Sequence, residues 1–412
     1  MAVTTELQRL LDALGKRLRR NVTVDDQSLR QLAFSSHEYP GMDRLREESI
    51  LTRDVRPAVS EWIFGAGART TPGPFRPPVR PEIGASTQRL CVPVRQQGTL
   101  LGFIWILEGD DRLSESELQT VLNSVDTIAV ILQRDQLAGE LHRSLARELL
   151  RDLVVPGDAA ARAHAAAELV DEELFVAGEP AFVVFVSLHA EDRPLLEAER
   201  GTLGAWLERI TGRLSDRRHI SLVRRNHGML LLSDKDPLLA GAAKHTLIEE
   251  LLVKLEADLP GIEPVAGIGN VVEDLAGVHA SYRQAERAAR VVRHVRGLER
   301  MASFDRLGVY GLLTLIPPAD LTVDALPGGL LRLLEGGPKG EQLAVTLEAF
   351  LDNAGDVQLT AEQMFVHRTT LYYRLQRIEE LTGVQLASGE DRLAFHLGLK
   401  VARLLGRFDD QV

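Results

Sequence analysis

The densest group of side chains able to do chemistry in this 412-residue chain lies near its end. His367, Arg368, Thr369, Thr370, Tyr372, Tyr373, Arg374, Gln376 and Arg377 fall together, with no acid between Arg368 and Arg377. At about 3.6 residues per turn, Thr369, Tyr372, Tyr373, Gln376 and Arg377 share one helical side. Leu371, Leu375, Ile378 and Leu381 share the other. Arg and Gln can pair in bidentate fashion with base edges, while Thr, Tyr and a helix N-terminus suit phosphate oxygens. The pattern leaves two readings open. One is a solvated amphipathic helix in a bundle, which Glu379 and Glu380 favour; the other is a helix that enters the major groove of double-stranded DNA.

The flanking sequence supplies the elements that must hold this helix. A helix is predicted over 341–353, burying Leu343, Leu347, Phe350 and Leu351 and ending at Gly355. A second opens on Thr360-Ala361-Glu362-Gln363, a capping-box pattern, and runs to Phe365. After the turn Val366-His367 a third runs over 368–381 and stops at Thr382-Gly383. Short helix, tight turn and second helix are the parts of a helix-turn-helix.

Length predicts more than one core. The 45% hydrophobic and 26% charged content is that of a globular protein without a membrane-spanning run, and the net charge is -11. That acidity predicts weak DNA binding by one copy, and therefore a homo-oligomer, a dimer or larger. The lone cysteine, Cys91 in Leu90-Cys91-Val92, excludes an intrachain disulfide framework and reads as a small buried hydrophobe. The expected location is cytoplasmic, with no membrane partner.

Four regions separate on pattern, and the expected fold class is multidomain α/β plus all-α. Residues 1–135 read as an α/β block. Leucines at helical spacing open it, and two hairpins follow, one across Asp25-Asp26-Gln27-Ser28 and one across Gln96-Gln97-Gly98. A helix over 47–64 must kink at Pro57, and 71–81, with five prolines, must be loop. A long helix from Ser114 to about 153, with a break allowed along it, runs into the 136–177 linker region. Its apolar spacing suits either a parallel dimer seam or packing on its own domain. Residues 178–316 run β-α-β-β-α-β-α, a ferredoxin-like order. Pro317-Pro318, Pro327-Gly328-Gly329 and Gly336-Gly337-Pro338 then punctuate a linker before the terminal domain, 338–408.

The segment Phe365-Val366-His367-Arg368-Thr369-Thr370-Leu371-Tyr372-Tyr373-Arg374-Leu375, with Arg377-Ile378-Glu379-Glu380-Leu381-Thr382-Gly383, resembles the C-terminal helix-turn-helix of the PucR/CdaR family of bacterial regulators. Glu390-Asp391-Arg392-Leu393 and Leu397-Gly398-Leu399-Lys400 continue the likeness, which covers about seventy residues. The family commonly has Asn where Thr369 stands and Arg where Tyr372 stands, so base preference does not carry over. The resemblance implies a sequence-specific DNA-binding transcription regulator controlled through its N-terminal domain, and not an enzyme.

It also implies a degenerate GGDEF-like middle domain, which Val265-Ala266-Gly267-Ile268-Gly269 and Ser281-Tyr282-Arg283-Gln284-Ala285 resemble. Cyclase chemistry needs Mg²⁺-holding carboxylates at strand ends. The first strand ends in Ser187-Leu188-His189, the hairpin Arg224-Arg225-Asn226-His227-Gly228 is basic, and Glu191 and Asp192 lie in a loop. A signalling enzyme or nucleotide-binding relay on this domain is the alternative; a pure interaction scaffold is a third. The first block, with Leu100-Leu101-Gly102-Phe103-Ile104-Trp105 as its central strand, resembles a GAF-type sensor. Trp62, Phe64, Phe75 and Trp105 are its candidate lining for a small-molecule effector, with plain core as the competing role. Phosphate-loop, His-Glu-x-x-His and Gly-x-Ser-x-Gly motifs are absent. No cofactor or metal is expected.

Overall fold

Short apolar runs buried on both faces, set between leucine-spaced helices, produce two sheets and a helical end. The computed structural model describes residues 3–35, 39, 43–52, 56–155, 157–190, 193–215, 217–295, 299–317 and 319–407. They form two units, Met1–His142 and Arg143–Val412. The expected loop acids Glu191 and Asp192, and Pro318, lie outside the described residues.

The first unit contains α1 (Val3–Leu18), β1 (Val22–Asp26), β2 (Gln31–Phe34), α2 (Arg44–Thr52), α3 (Pro57–Gly65), β3 (Arg89–Gln96), β4 (Thr99–Leu107) and the start of α4 (Glu115–Val154). All pairings in its sheet, order β2-β1-β4-β3, are antiparallel. One face is sealed by Leu7, Leu11, Leu14 and Leu18 of α1 and by Val121, Ile128 and Leu132 of α4. The other carries Cys91, Phe103 and Trp105 beneath Leu45, Val59, Trp62 and Ile63. The helix expected over 47–64 is two helices, and Pro57 stands where the second begins, the position at which its missing N–H costs nothing.

Helix α4 is 40 residues long and carries no break. Ser114 opens it with a reciprocal cap: its Oγ accepts from Glu117 N at 3.4 Å, and Glu117 Oε2 accepts from Ser114 N at 2.7 Å.

The second unit continues with α5 (Ala159–Asp171), β5 (Ala181–Ala190), α6 (Glu197–Thr211), β6 (His219–Val223), β7 (His227–Ser233), α7 (Ala243–Asp258), β8 (Ile262–Ile268), α8 (Val278–His294) and β9 (Met301–Ser303). The sheet order β6-β7-β5-β8-β9 is the ferredoxin-like arrangement with one short parallel strand added beside β8. The β6–β7 turn is Arg224-Arg225-Asn226, and His227 and Gly228, expected with it in the hairpin, open β7. Helices α6 and α7 cover one face; α5, α8 and the end of α4 cover the other. Gly267 and Gly269 have a packing role. A Cβ there would stand 2.0 Å from Ala285 O and 2.0 Å from Ser281 O, so only glycine lets α8 lie this close to β8.

Then follow α9 (Val309–Leu313), α10 (Gly328–Leu334), α11 (Gly337–Asp352), α12 (Val357–Gln363), α13 (Arg368–Thr382) and α14 (Gly389–Leu404), gathered on one core that includes Leu330, Leu333, Leu347, Leu371, Ile378 and Leu399. The Pro/Gly stretch expected to be linker is therefore corrected. Part of it is α10, whose Leu330 and Leu333 are core. A Cβ on Gly329 would stand 2.2 Å from Thr382 O, so that glycine is a contact point and not a hinge.

Candidate nucleic-acid interface

Helix α13 is held at both ends. His367 caps its start, the Nδ1 accepting from Thr369 N at 3.4 Å and pairing with Thr369 Oγ1. Gly383, at φ +78°, ends it, with its N–H donating to Glu379 O at 2.9 Å. Arg332 of α10 donates to Thr382 O (3.2 Å) and Leu381 O (3.4 Å), placing a cation on the negative end of the helix dipole.

The preceding helix begins elsewhere than the capping-box pattern suggests. Asp356 is its N-cap, accepting from Gln358 N (2.7 Å) and Leu359 N (3.0 Å). Thr360 is buried one turn in, its hydroxyl donating to Asp356 O at 2.6 Å. Asp reaches the free N–H groups with a charged oxygen, so the earlier start wins. The turn to α13 is a Schellman motif: Phe365 N donates to Glu362 O (3.2 Å) and Val366 N to Ala361 O (3.0 Å). The left-handed position, usually glycine, is Phe365 at φ +53°, and its side chain is 96% exposed. Nothing in the sequence marks Phe365 except its place between a short helix and a polar turn.

The apolar stripe of α13 is Leu371, Leu375, Ile378 and Thr382. Leu381, expected in it, is 38% exposed; the small Thr382 sits there instead, where the Gly329 backbone approaches. His367, Arg368, Thr369, Thr370, Tyr372, Tyr373, Gln376 and Arg377 are all exposed. Arg374 stands apart. It is half-buried and turned toward α11, with Nη1 donating to Thr346 Oγ1 at 3.3 Å. Glu380 reaches back onto the exposed side and accepts from Gln376 Nε2 at 3.2 Å and Arg377 Nη1 at 3.0 Å. Sequence reasoning placed this acid at the helix end and missed that it ties down two candidate readers.

Behind α13, Glu348 of α11 receives Arg403 Nε (2.7 Å) and Lys400 Nζ (2.9 Å) from α14. Asp352 receives Lys400 Nζ (2.9 Å) and His396 Nε2 (2.7 Å). These pairs fix the helices on which α13 rests.

The remaining candidates are placed as follows. In the first unit Trp62, Phe64, Phe75 and Trp105 join one apolar cluster with Cys91 and Phe103. Both tryptophans are buried, Trp62 Nε1 donates to Pro78 O at 3.1 Å, and the Arg69 guanidinium lies 3.8 Å from the Phe64 centroid. Cys91 is a fully buried core residue, and that burial pushes its thiol pKa well up. In the middle domain His189 bonds Ser187 Oγ at 2.9 Å, and His227 stacks on Phe185 at 4.4 Å. Burial, with Arg293 and His294 beside the first and Arg224 beside the second, brings both histidine pKa values down to about 4. Among the described residues no three His, Cys, Asp or Glu side chains are grouped to hold a metal ion, and no helix is long and apolar enough to cross a membrane.

A model of the PucR C-terminal helix-turn-helix domain matches residues 343–401, and a model of the GGDEF-like domain matches 175–291. The proline-responsive transcriptional activator PutR of Bacillus subtilis is 22% identical over 408 residues, 97% of each chain. The DNA-binding transcriptional activator AdeR of the same organism is 22% identical over 414 residues, 97% of this chain and 93% of the relative. The carbohydrate diacid regulator of Escherichia coli is 41% identical over 56 residues, 14% of each chain. With a PucR-type helix-turn-helix domain at its end and a GGDEF-like domain before it, and likeness along its length to two transcriptional activators, the chain is a DNA-binding transcription regulator.

Proposed function

We propose that the chain reads double-stranded DNA with the exposed side of α13 and Arg368 at its N-terminus, as a homo-oligomer whose affinity is set by the state of its N-terminal unit. The observation that carries this is α13 itself: eight polar or aromatic side chains from His367 to Arg377 stand exposed on a helix capped at both ends and backed by a sealed core. Arg368, Gln376 and Arg377 serve base edges; His367, Thr369, Thr370, Tyr372 and Tyr373 serve phosphates or flank the groove. Arg374 supports the helix through Thr346 and reaches phosphate from its flank.

Pairing is assigned to α4. Val130, Leu137 and Leu141 are 58%, 58% and 71% exposed, at spacings of seven and four along one helix. That is the seam of a two-stranded coiled coil. The domain division that goes with this reading is 1–135 sensor of GAF type, 136–177 linker helix, 178–316 GGDEF-like relay and 338–408 reader, with α10 added to the reader. The effector is a small molecule held by the first unit, the place of work is the cytoplasm where the DNA is, and the full-length relatives point to activation. A non-catalytic middle domain fits the neutral histidines and the basic β6–β7 turn at the ends of its strands.

A mobility shift with the full-length protein and the DNA upstream of its own gene tests the reading. A salt-sensitive shift that disappears in Arg368→Ala/Arg377→Ala, with the oligomer intact, supports it. An unchanged shift in that variant moves the contact surface elsewhere.

A further inference from the structure

Helix α8 of the GGDEF-like domain carries four arginines, Arg283, Arg287, Arg290 and Arg293, against one acid, Glu286. In a chain of net charge -11 that is a local reversal of sign. Helical spacing decides where they stand. At about 100° per residue Arg283, Arg287 and Arg290 share one narrow sector, with Arg293 beside it one turn on. Ala285, Ala289 and Val292, on the opposite side, are buried, while the arginines are exposed or half-buried. Glu286 is engaged by Arg283, Nη1 to Oε2 at 2.9 Å. Among the described residues Glu286 is the one carboxylate acting on Arg287, and no carboxylate acts on His294 beside Arg290 and Arg293. Burial first, then Arg283 and Arg290, lowers the Arg287 pKa, so like charges are crowded here. Like charges three and four residues apart destabilise a helix, and an anion set among them reverses that.

The row lies between two landmarks. At its start Arg283 and Arg224, the latter from the basic β6–β7 turn, both lie within Coulombic reach of Tyr282. Toward its end Ala288, Val291 and Val295 pack with Leu307, with Tyr310 of α9 and with Leu404 of α14. That contact sits about a quarter turn around α8 from the arginines, so the row is carried by the same body as the reader. Shape selects the anion. A small phosphate compound needs a concave site on which donors converge. These side chains leave a convex helix in line, over about 10 Å from Arg283 to Arg290 at 1.5 Å per residue. Such a row fits an extended polyanion, and duplex DNA offers a phosphate about every 3.4 Å along each strand.

We infer that Arg287, Arg290 and Arg293, with Arg283 at their head, form a second DNA surface that holds the phosphate backbone beside the segment read by α13. It carries no base preference. The inference rests on the reading of α13 as the DNA-contacting helix and adds to it a contact made by the GGDEF-like domain.

The test is fluorescence anisotropy of the full chain across a salt series, with the DNA upstream of its own gene and with a random duplex of equal length. Hydroxyl-radical footprints are taken on the upstream DNA. Arg287→Gln/Arg290→Gln should weaken binding to both duplexes about tenfold at low salt and lower the slope of log affinity against log salt by about two. Its footprint should lose outer backbone positions and keep the central ones. Arg368→Ala/Arg377→Ala should instead lose the central positions and the preference for the upstream DNA. Arg287→Lys/Arg290→Lys, which keeps both charges, should bind as the unaltered chain does. An unchanged slope and footprint in the Gln variant overturns the second surface. Equal loss in the Lys variant marks a packing role and overturns it too. So does calorimetric binding of tripolyphosphate that the Gln variant loses while its salt slope stays the same, which assigns the row to a small polyanion. A reduced slope in the Gln variant, with Arg368→Ala/Arg377→Ala unaltered, leaves α8 standing and removes α13. The opposite pattern removes α8 alone.

Discussion

Arg377 Nη1 stands 3.0 Å from Glu380 Oε2, one turn further along α13, so a candidate DNA-contacting cation is partly neutralised by its own helix. Both side chains are about half exposed, and a pair in that setting contributes little to stability. Its effect falls on binding. Glu380→Gln should leave the melting profile unchanged and tighten DNA binding by about threefold to tenfold, roughly 1 kcal/mol. The dependence of log affinity on log salt should steepen by about one. Fluorescence anisotropy across a salt series reads both, and equal slopes would show that Arg377 does not reach the DNA.

Phe365 occupies a left-handed backbone position that costs a non-glycine residue about 1 kcal/mol or more. Phe365→Gly should raise the stability of the C-terminal domain by about that amount in urea denaturation. The same variant should weaken DNA binding, because a fully exposed aromatic beside the reading helix has no structural duty in the turn. A stabilised variant with unaltered binding would assign the side chain to another partner.

Glu348 is buried and serves Arg403 and Lys400 together. Removing it takes the carboxylate from buried Arg403 and leaves Lys400 on Asp352 alone. Glu348→Ala should destabilise the C-terminal domain by about 3–5 kcal/mol, read as a lower urea midpoint. DNA binding should be lost at temperatures where the rest of the chain is still folded.

The raised pKa of Asp25 predicts how stability changes with pH. The groups that set it are burial first, then Arg46, Asp26, Trp105 and Arg89. The folded state holds the Asp25 proton up to about pH 7, whereas the unfolded chain releases it near pH 4. Between those values the folded state binds more protons, so this group's contribution falls as pH rises and levels off above 7. Asp25→Asn should therefore raise the first melting midpoint by several degrees at pH 8 and change it little at pH 4. An equal shift at both would remove the ionisation as the cause.

Leu137 and Leu141 are exposed on α4, uncovered by any of the described residues. Leu137→Glu/Leu141→Glu should convert the assembly to monomers by light scattering without loss of helicity. DNA affinity should fall with it, since each chain carries one reader.

Much of the architecture was legible because it rests on periodicity. Leu371, Leu375 and Ile378 recur at helical spacing and are buried, and the β-α-β-β-α-β-α order of the middle domain is the observed one. What the sequence hid are cases where a tertiary contact overrides a local rule. Gly329 reads as a breaker, yet it lies within α10, because a Cβ there would stand 2.2 Å from Thr382 O; Gly336 and Gly337 do separate α10 from α11. Thr360 imitates a cap, but Asp356 offers a better acceptor four residues earlier. Arg46 and Arg89 were passed over because arginine is ordinarily a surface residue, and only the folded unit reveals that both are inside. Leu381 and Glu380 exchange importance for a similar reason: the stripe closes on Thr382, and the acid turns back toward the reading side.

The reader is also not suspended on a string. Ala288, Val291 and Val295, on and just after α8 of the GGDEF-like domain, share a cluster with Leu307, Tyr310 and Leu404, and Arg332 grips the last carbonyls of α13. Two such readers in one assembly would keep a set distance, like the jaws of a caliper, instead of sampling many. Operator half-sites then have to match that distance in helical phase. Inserting half a turn of DNA between them should abolish binding, and inserting a full turn should restore less than the original affinity.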